Sequence, residues 1–121
     1  MFIINEDLSL GVTRGDVVCL TVTAEEEGVP YEFQIGETLR MKVFEKKHCE
    51  RVVIEKDFLI TRAATEAQIY LDSADTRIGE LISKPRDYWY EIELNPDTNP
   101  QTIVGYDENG PKILRLFPEG A

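Results

Sequence analysis

Asp87-Tyr88-Trp89-Tyr90-Glu91-Ile92-Glu93-Leu94 is the stretch that decides the fold. Tyr88, Tyr90, Ile92 and Leu94 share one parity; Trp89, Glu91 and Glu93 share the other. Successive side chains of a strand point to opposite faces, so the alternation marks a half-buried β-strand. The aromatic-aliphatic set faces a core. Trp89, the only tryptophan, then faces outward beside two glutamates.

The same period recurs on both sides of this stretch. Upstream, residues 16–23 alternate Val18, Leu20 and Val22 with Val17, Cys19, Thr21 and Thr23, a β-branched run suited to a pleated surface. Residues 38–45 set Leu39, Met41 and Val43 against Arg40, Lys42 and Phe44. Residues 51–58 put Val52 and Ile54 on one side, and 66–72 put Ala67, Ile69 and Leu71 on one side. Downstream, 101–106 and 112–117 read as the last two strands, joined by a hairpin turn at Asp107-Glu108-Asn109-Gly110. Turn residues separate the strands at Glu25-Glu26-Glu27-Gly28-Val29-Pro30, at 46–50 and at the two-proline loop 95–100. Residues 31–36 fit no period.

One helix is expected near residues 73–83. Ser73 or Asp75 is placed to cap it, Ile78, Leu81 and Ile82 have helical spacing, and Lys84-Pro85 ends it. About seven to eight short strands with one short helix indicate an all-β fold, an immunoglobulin-like antiparallel β-sandwich forming a single domain over residues 1–121. Phe2-Ile3-Ile4 is a short edge strand, or part of an arm at residues 1–7 that docks on a neighbour. Residues 118–121 are expected to fray.

A chain of 121 residues buries roughly two-thirds of the surface its unfolded form exposes, enough for a core without staples. Asp plus Glu number 23 against 13 Lys plus Arg, a net charge of −10, which disfavours binding to phosphate backbones. No nucleic-acid partner is expected. The acids are mixed with Lys and Arg along every segment, which argues against a DNA mimic. No run reaches the 18 or so apolar residues of a membrane span, and residues 1–7 lack the features of a signal peptide. No membrane partner is therefore expected. Cys19, in the apolar run Val17-Val18-Cys19-Leu20, reads as a core residue, and Cys49 as a turn residue; two free thiols and a reducing compartment are favoured.

The chain offers little for catalysis. His48 is the only histidine, and its neighbour Cys49 would point away from it in extended chain. Neither C-x-x-C nor H-x-x-x-H spacing occurs, so no metal or cofactor is expected. Ser9, Ser73 and Ser83 lack a nucleophile-elbow context. The chain reads as a non-enzyme. Arg14-Gly15-Asp16 spells an adhesion tripeptide, but a glycine permitting a sharp entry into the first strand, with Asp16 holding the turn, explains it more simply. Candidate partner contacts are the off-parity aromatics Trp89, Phe44 and Phe117, together with Phe2, Ile3 and Ile4. Trp89 is either covered by the 73–84 segment or left as an anchor for a partner.

Several motifs in order carry a family resemblance: Arg14-Gly15-Asp16, the Gly28-Val29-Pro30-Tyr31 turn, the basic strand Leu39-Arg40-Met41-Lys42-Val43, the Tyr88-to-Leu94 strand and Lys112-Ile113-Leu114-Arg115-Leu116-Phe117-Pro118. Together they resemble the immunoglobulin-like N-terminal domain of the baseplate upper protein family of phage tails. The chain departs from that pattern in the turn before Pro30, in Lys84-Pro85-Arg86-Asp87 before the aromatic strand, and in a longer loop at 95–100. The resemblance implies a structural protein of a phage or prophage tail, made in the bacterial cytoplasm and acting in the virion tail. Its implied partners are other tail or baseplate proteins or further copies of itself, and it implies no catalytic residues. A different class, a carbohydrate-binding sandwich with an aromatic platform at Tyr88, Trp89 and Tyr90 or in the 95–106 region, fits the aromatics as well.

Overall fold

A computed structural model describes residues 2–4, 10–26, 28–46, 50–79, 83–98, 100–104 and 112–119. The strands are β1 (Phe2–Ile4), β2 (Leu10–Thr13), β3 (Val18–Val22), β4 (Glu25–Glu26), β5 (Val29–Pro30), β6 (Thr38–Lys46), β7 (Glu50–Leu59), β8 (Ala67–Leu71), β9 (Arg86–Leu94), β10 (Gln101–Val104) and β11 (Lys112–Phe117). One helix, α1, spans Ser73–Thr76. The chain is an all-β sandwich.

β9, the aromatic strand, lies inside the large sheet, whose order is β1-β2-β11-β9-β6-β7 with β10 also on β9. Its edge toward β6 pairs antiparallel from Leu39↔Leu94 to Phe44↔Trp89. Its other edge is shared. β10 takes Leu94 to Ile92, and β11 takes Tyr90 to Arg86. Both are antiparallel to β9, so they run in the same direction and do not form the expected hairpin. Residues 107–110 lie outside the described residues. Turn-forming composition signals a break in a strand; it does not encode whether the chain reverses. β11 also pairs parallel with β2, Leu114↔Leu10 to Phe117↔Thr13, so the sheet is mixed and not wholly antiparallel. β2 carries no alternation that would announce it: Leu10, Gly11 and Val12 are all buried.

The second layer is the β3–β8 ribbon, in unbroken register from Val18↔Leu71 to Val22↔Ala67. Both strands alternate buried and exposed. Val18, Leu20, Val22, Ala67, Ile69 and Leu71 join Leu39, Met41, Val43, Tyr88, Tyr90, Ile92, Leu94, Leu114 and Leu116 in one core cluster. Each such large side chain contributes roughly 1.5–3 kcal/mol by leaving water. Phe33, in the stretch that fits no period, is fully buried and bridges Ala64.

Parity places Cys19 outward. It is exposed and free, and its Sγ donates to Gln68 Oε1 at 3.2 Å. The core reading fails because the run Val17-Val18-Cys19-Leu20 is apolar on both parities and does not say which set turns inward. Cys49 and His48 lie outside the described residues.

The helix is a single turn, shorter than 73–83. Its N-cap is Asp72, not Ser73 or Asp75, in a reciprocal capping box: Asp75 N–H donates to Asp72 Oδ1 and Asp72 N–H to Asp75 Oδ2, both at 2.9 Å. Arg77 leaves helical geometry at ψ 59° and Gly79 takes a positive φ of 64°. Ile78 is buried outside any helix, while Leu81 and Ile82 lie outside the described residues. Phe2–Ile4 is an edge strand of its own sheet, with Phe2↔Val12, Ile3↔Gly11 and Ile4↔Leu10. At the other end Glu119 lies 3.0 Å from Arg14 and 3.4 Å from Arg77, while residues 120 and 121 of the expected frayed end lie outside the described residues.

Candidate docking surface

The face of the large sheet turned away from β3–β8 is built in rows. The first row crosses β7, β6 and β9. Arg40 donates to both oxygens of Asp57 at 2.7 and 3.0 Å and reaches Asp97 at 3.1 Å. These partners hold the guanidinium charged and pull the Asp57 carboxyl below its usual range. In the same band, Lys42 stands 3.7 Å from Glu93. Burial, and then the Glu93 hydrogen bond and charge, push the Glu91 carboxyl up against the opposing pull of Lys42. This half of the face is a ladder of opposed charges, which solvates it and keeps it from pairing indiscriminately.

The next row is apolar. Val52 pairs with Phe44, Phe44 with Trp89, and Trp89 with Ile113, across four strands. Phe44 is only 4% exposed, so it is not part of an open patch as the sequence suggested. Trp89 and Ile113 are half-buried, and Val52 is 45% exposed. Sequence reasoning put Val52 with Ile54 on one side. A bulge overturns that: Val43 pairs Ile54 and Phe44 pairs Val52, leaving Val53 as the extra residue. One inserted residue sends Val52 outward while Ile54 stays buried. Past this row, Arg115 donates to Asp87 at 2.8 and 3.3 Å and charge returns.

The three off-parity aromatics therefore do not share one place on the sheet, and Phe2, Ile3 and Ile4 lie apart from them. Phe44 and Trp89 are direct neighbours. Phe117 is half-buried four residues along β11 from Ile113, about 13 Å away at strand rise. Phe2, Ile3 and Ile4 occupy β1, three strand spacings from β9, or about 14 Å. The aromatic platform for a sugar is not open at its two tyrosines: Tyr88 and Tyr90 are 2% and 4% exposed, and Arg86 stands over the Tyr88 ring at 5.2 Å. The sequence did show that these rings face inward; it did not show how completely the second layer closes over them.

Arg14-Gly15-Asp16 has a structural role. Asp16 N–H donates to Thr13 O at 3.0 Å, closing a turn in which Gly15 takes a φ of +87°. Gly15 N–H donates to Thr76 Oγ1 at 3.0 Å, and that hydroxyl donates to Asp16 O at 2.7 Å. Arg14 Nη2 donates to Gly79 O at 2.6 Å, Nε to Ile78 O at 3.3 Å and Nη1 to Glu119 at 3.0 Å. One turn thus fastens the β2–β3 connection to the end of α1 and to the C-terminal residues. The Arg14 side chain is 10% exposed, which leaves little of it for a receptor.

Among the described residues, no group of three or more His, Cys, Asp and Glu is placed to hold a metal ion, and no helix is long and apolar enough to cross a membrane. Comparison with family models, curated proteins and solved structures returned no match.

Proposed function

We propose that this chain is a non-catalytic structural component of a phage or prophage tail or baseplate, and that it works by docking onto other tail proteins or onto further copies of itself. The family half of the proposal is supported by the order of the sequence motifs. Those motifs fall at places that matter to the sandwich: the Arg14 clamp, the basic strand β6, the central strand β9 and the closing strand β11.

The docking half rests on one observation. A row of four apolar positions, with Val52 exposed, Trp89 and Ile113 half-buried and Phe44 buried, interrupts a face otherwise laid out in ion pairs. Apolar side chains concentrated in one place on a charged surface mark contact sites more often than scattered ones do. Trp89 is the anchor of the row, since a tryptophan buries a large area with few rotatable bonds. Such a protein uses surface complementarity, is made in the bacterial cytoplasm and ends in the virion tail.

The row is tested by co-expressing the chain with the tail proteins encoded beside it and following co-purification. Ile113→Glu and Val52→Glu should each abolish the complex while leaving the thermal melt within a few degrees of the parent. Retention of the complex by both variants would overturn the assignment of this row.

A further inference from the structure

The outward positions of the two central strands carry opposite charges. On β9 they are Asp87, Trp89, Glu91 and Glu93; on β6 they are Arg40, Lys42, Phe44 and Lys46. Each strand sets charges of one sign around one aromatic ring, acids on β9 and bases on β6. The register places the two rings side by side as Phe44↔Trp89. The next strands continue the pattern, with Ile113 of β11 beside Trp89 and Val52 of β7 beside Phe44. Phe44 is buried, yet it lies outside the core cluster on the other side of the sheet.

Exchanging β6 with β9, and β7 with β11, therefore replaces acid by base along the two central strands and leaves the row apolar. A two-fold axis lying in the face, parallel to the strands and midway between β6 and β9, makes this exchange. A second copy laid face to face about that axis sets its Lys42 over Glu91, Arg40 over Glu93, Lys46 over Asp87, Phe44 over Trp89 and Val52 over Ile113. Each contact occurs twice, as in any isologous interface. An axis along the row would instead set Glu91 over Asp87 and Lys42 over Lys46, like charge on like. Facing sheets pack within about 30° of alignment, so the contacts nearest the axis, Trp89 with Phe44 and Glu91 with Lys42, stay closest. Within one copy these charges are incompletely matched. Lys42 leans to Glu93 at 3.7 Å, which leaves Glu91 without a cation in ion-pair contact among the described residues. Burial, and then Glu93, push the Glu91 carboxyl up. Lys46 is exposed and has no ion-pair partner among the described residues. Arg40 is already held by Asp57 and Asp97, so its contact with Glu93 counts for less.

We propose that the apolar row and the charges of β6 and β9 form a self-complementary surface whose partner is a second copy of this chain, packed outer face to outer face as a two-fold dimer. This rests on the docking reading of the row and fixes its occupant; it does not depend on the tail assignment. Two copies at a net charge of −10 each repel at long range. The two-fold arrangement brings them together where acids meet bases and apolar side chains meet apolar side chains. The charge pairs set the orientation, and Trp89 with its neighbours supplies most of the affinity.

The test is sedimentation velocity of the full chain from micromolar to sub-millimolar concentration, where the parent should pass from monomer to dimer. Lys42→Glu gives a copy with acids on both strands at that level, and Glu91→Lys a copy with bases on both. Each alone should dimerise at least tenfold more weakly than the parent. Mixed, the two variants should form a heterodimer, read by native mass spectrometry, because both contacts between the copies are then acid against base. Within each copy the charges stay mismatched, so a role in folding alone predicts no such rescue. Lys46→Glu mixed with Asp87→Lys repeats the test at a more exposed pair, should either of the first variants fail to fold. A parent that stays monomeric across the series, or variant pairs that do not associate on mixing, would overturn the second copy as occupant. Loss of the tail-protein complex on Ile113→Glu, alongside a monomeric parent, would dismiss the dimer and keep the row as a docking site.

Discussion

Replacing Arg14 by alanine tests whether the Arg-Gly-Asp turn is a structural clamp. The substitution removes donors from two carbonyls, Gly79 O at 2.6 Å and Ile78 O at 3.3 Å, and an ion pair with Glu119 at 3.0 Å. A hydrogen bond to a charged group contributes about 1.5–3 kcal/mol. The Ile78 contact is long and counts for less, and the Glu119 pair is partly exposed and adds at most about 1 kcal/mol. The expected loss is about 3 kcal/mol. Unfolding entropy near 2.1 cal/mol/K per residue, taken over 121 residues, turns that into a fall in Tm of about 12 °C. Arg14→Lys keeps the charge but cannot span two carbonyls and a carboxylate, so it should recover less than half of the loss. Paired urea and thermal melts of the parent and both variants measure this. A loss below about 0.5 kcal/mol for Arg14→Ala, the range of an ordinary surface substitution, would refute the clamp.

Three other expectations follow from the structure. Burial alone would raise the Glu37 carboxyl, but bonds from Gln34 N–H at 2.7 Å, Asn95 Nδ2 at 2.7 Å and Tyr31 OH at 2.8 Å hold its pKa below the usual 4.5. A depressed carboxyl stabilises the fold above its unfolded pKa and loses that contribution as pH falls through the folded value, so Glu37→Gln should lower Tm at neutral pH and flatten its decline below about pH 5. Ile69→Ala empties a site with 0% exposure where the two layers meet and should cost about 2–5 kcal/mol, read from the urea midpoint. In a Cys49→Ser background Cys19 should react at once with a thiol reagent in the native protein, and a further Cys19→Ser should remove that reactivity with a stability change under about 0.5 kcal/mol; slow reaction only on unfolding would return Cys19 to the core.

Much of the sandwich was legible because the period of its strands is simple. β3, β6, β8, β9 and β11 all alternate, and side chains of each inward set lie in the one core cluster. Illegible were the features that depend on a partner strand. The bulge that turns Val52 outward arises from a register between β6 and β7, and nothing in Arg51-Val52-Val53-Ile54 announces it. The common direction of β10 and β11 comes from their sharing one edge of β9. Cys19 was misplaced because β-branched and apolar residues stood on both parities beside it. Ile78 has helical spacing in the sequence, yet the described chain leaves the helix after Thr76.

The tail assignment is tested most directly by purifying particles from the source strain after prophage induction and measuring this chain in them by quantitative mass spectrometry. A tail component is expected in a fixed ratio to the other tail proteins, retained through density-gradient purification. Intact, infectious particles without the chain would contradict the assignment.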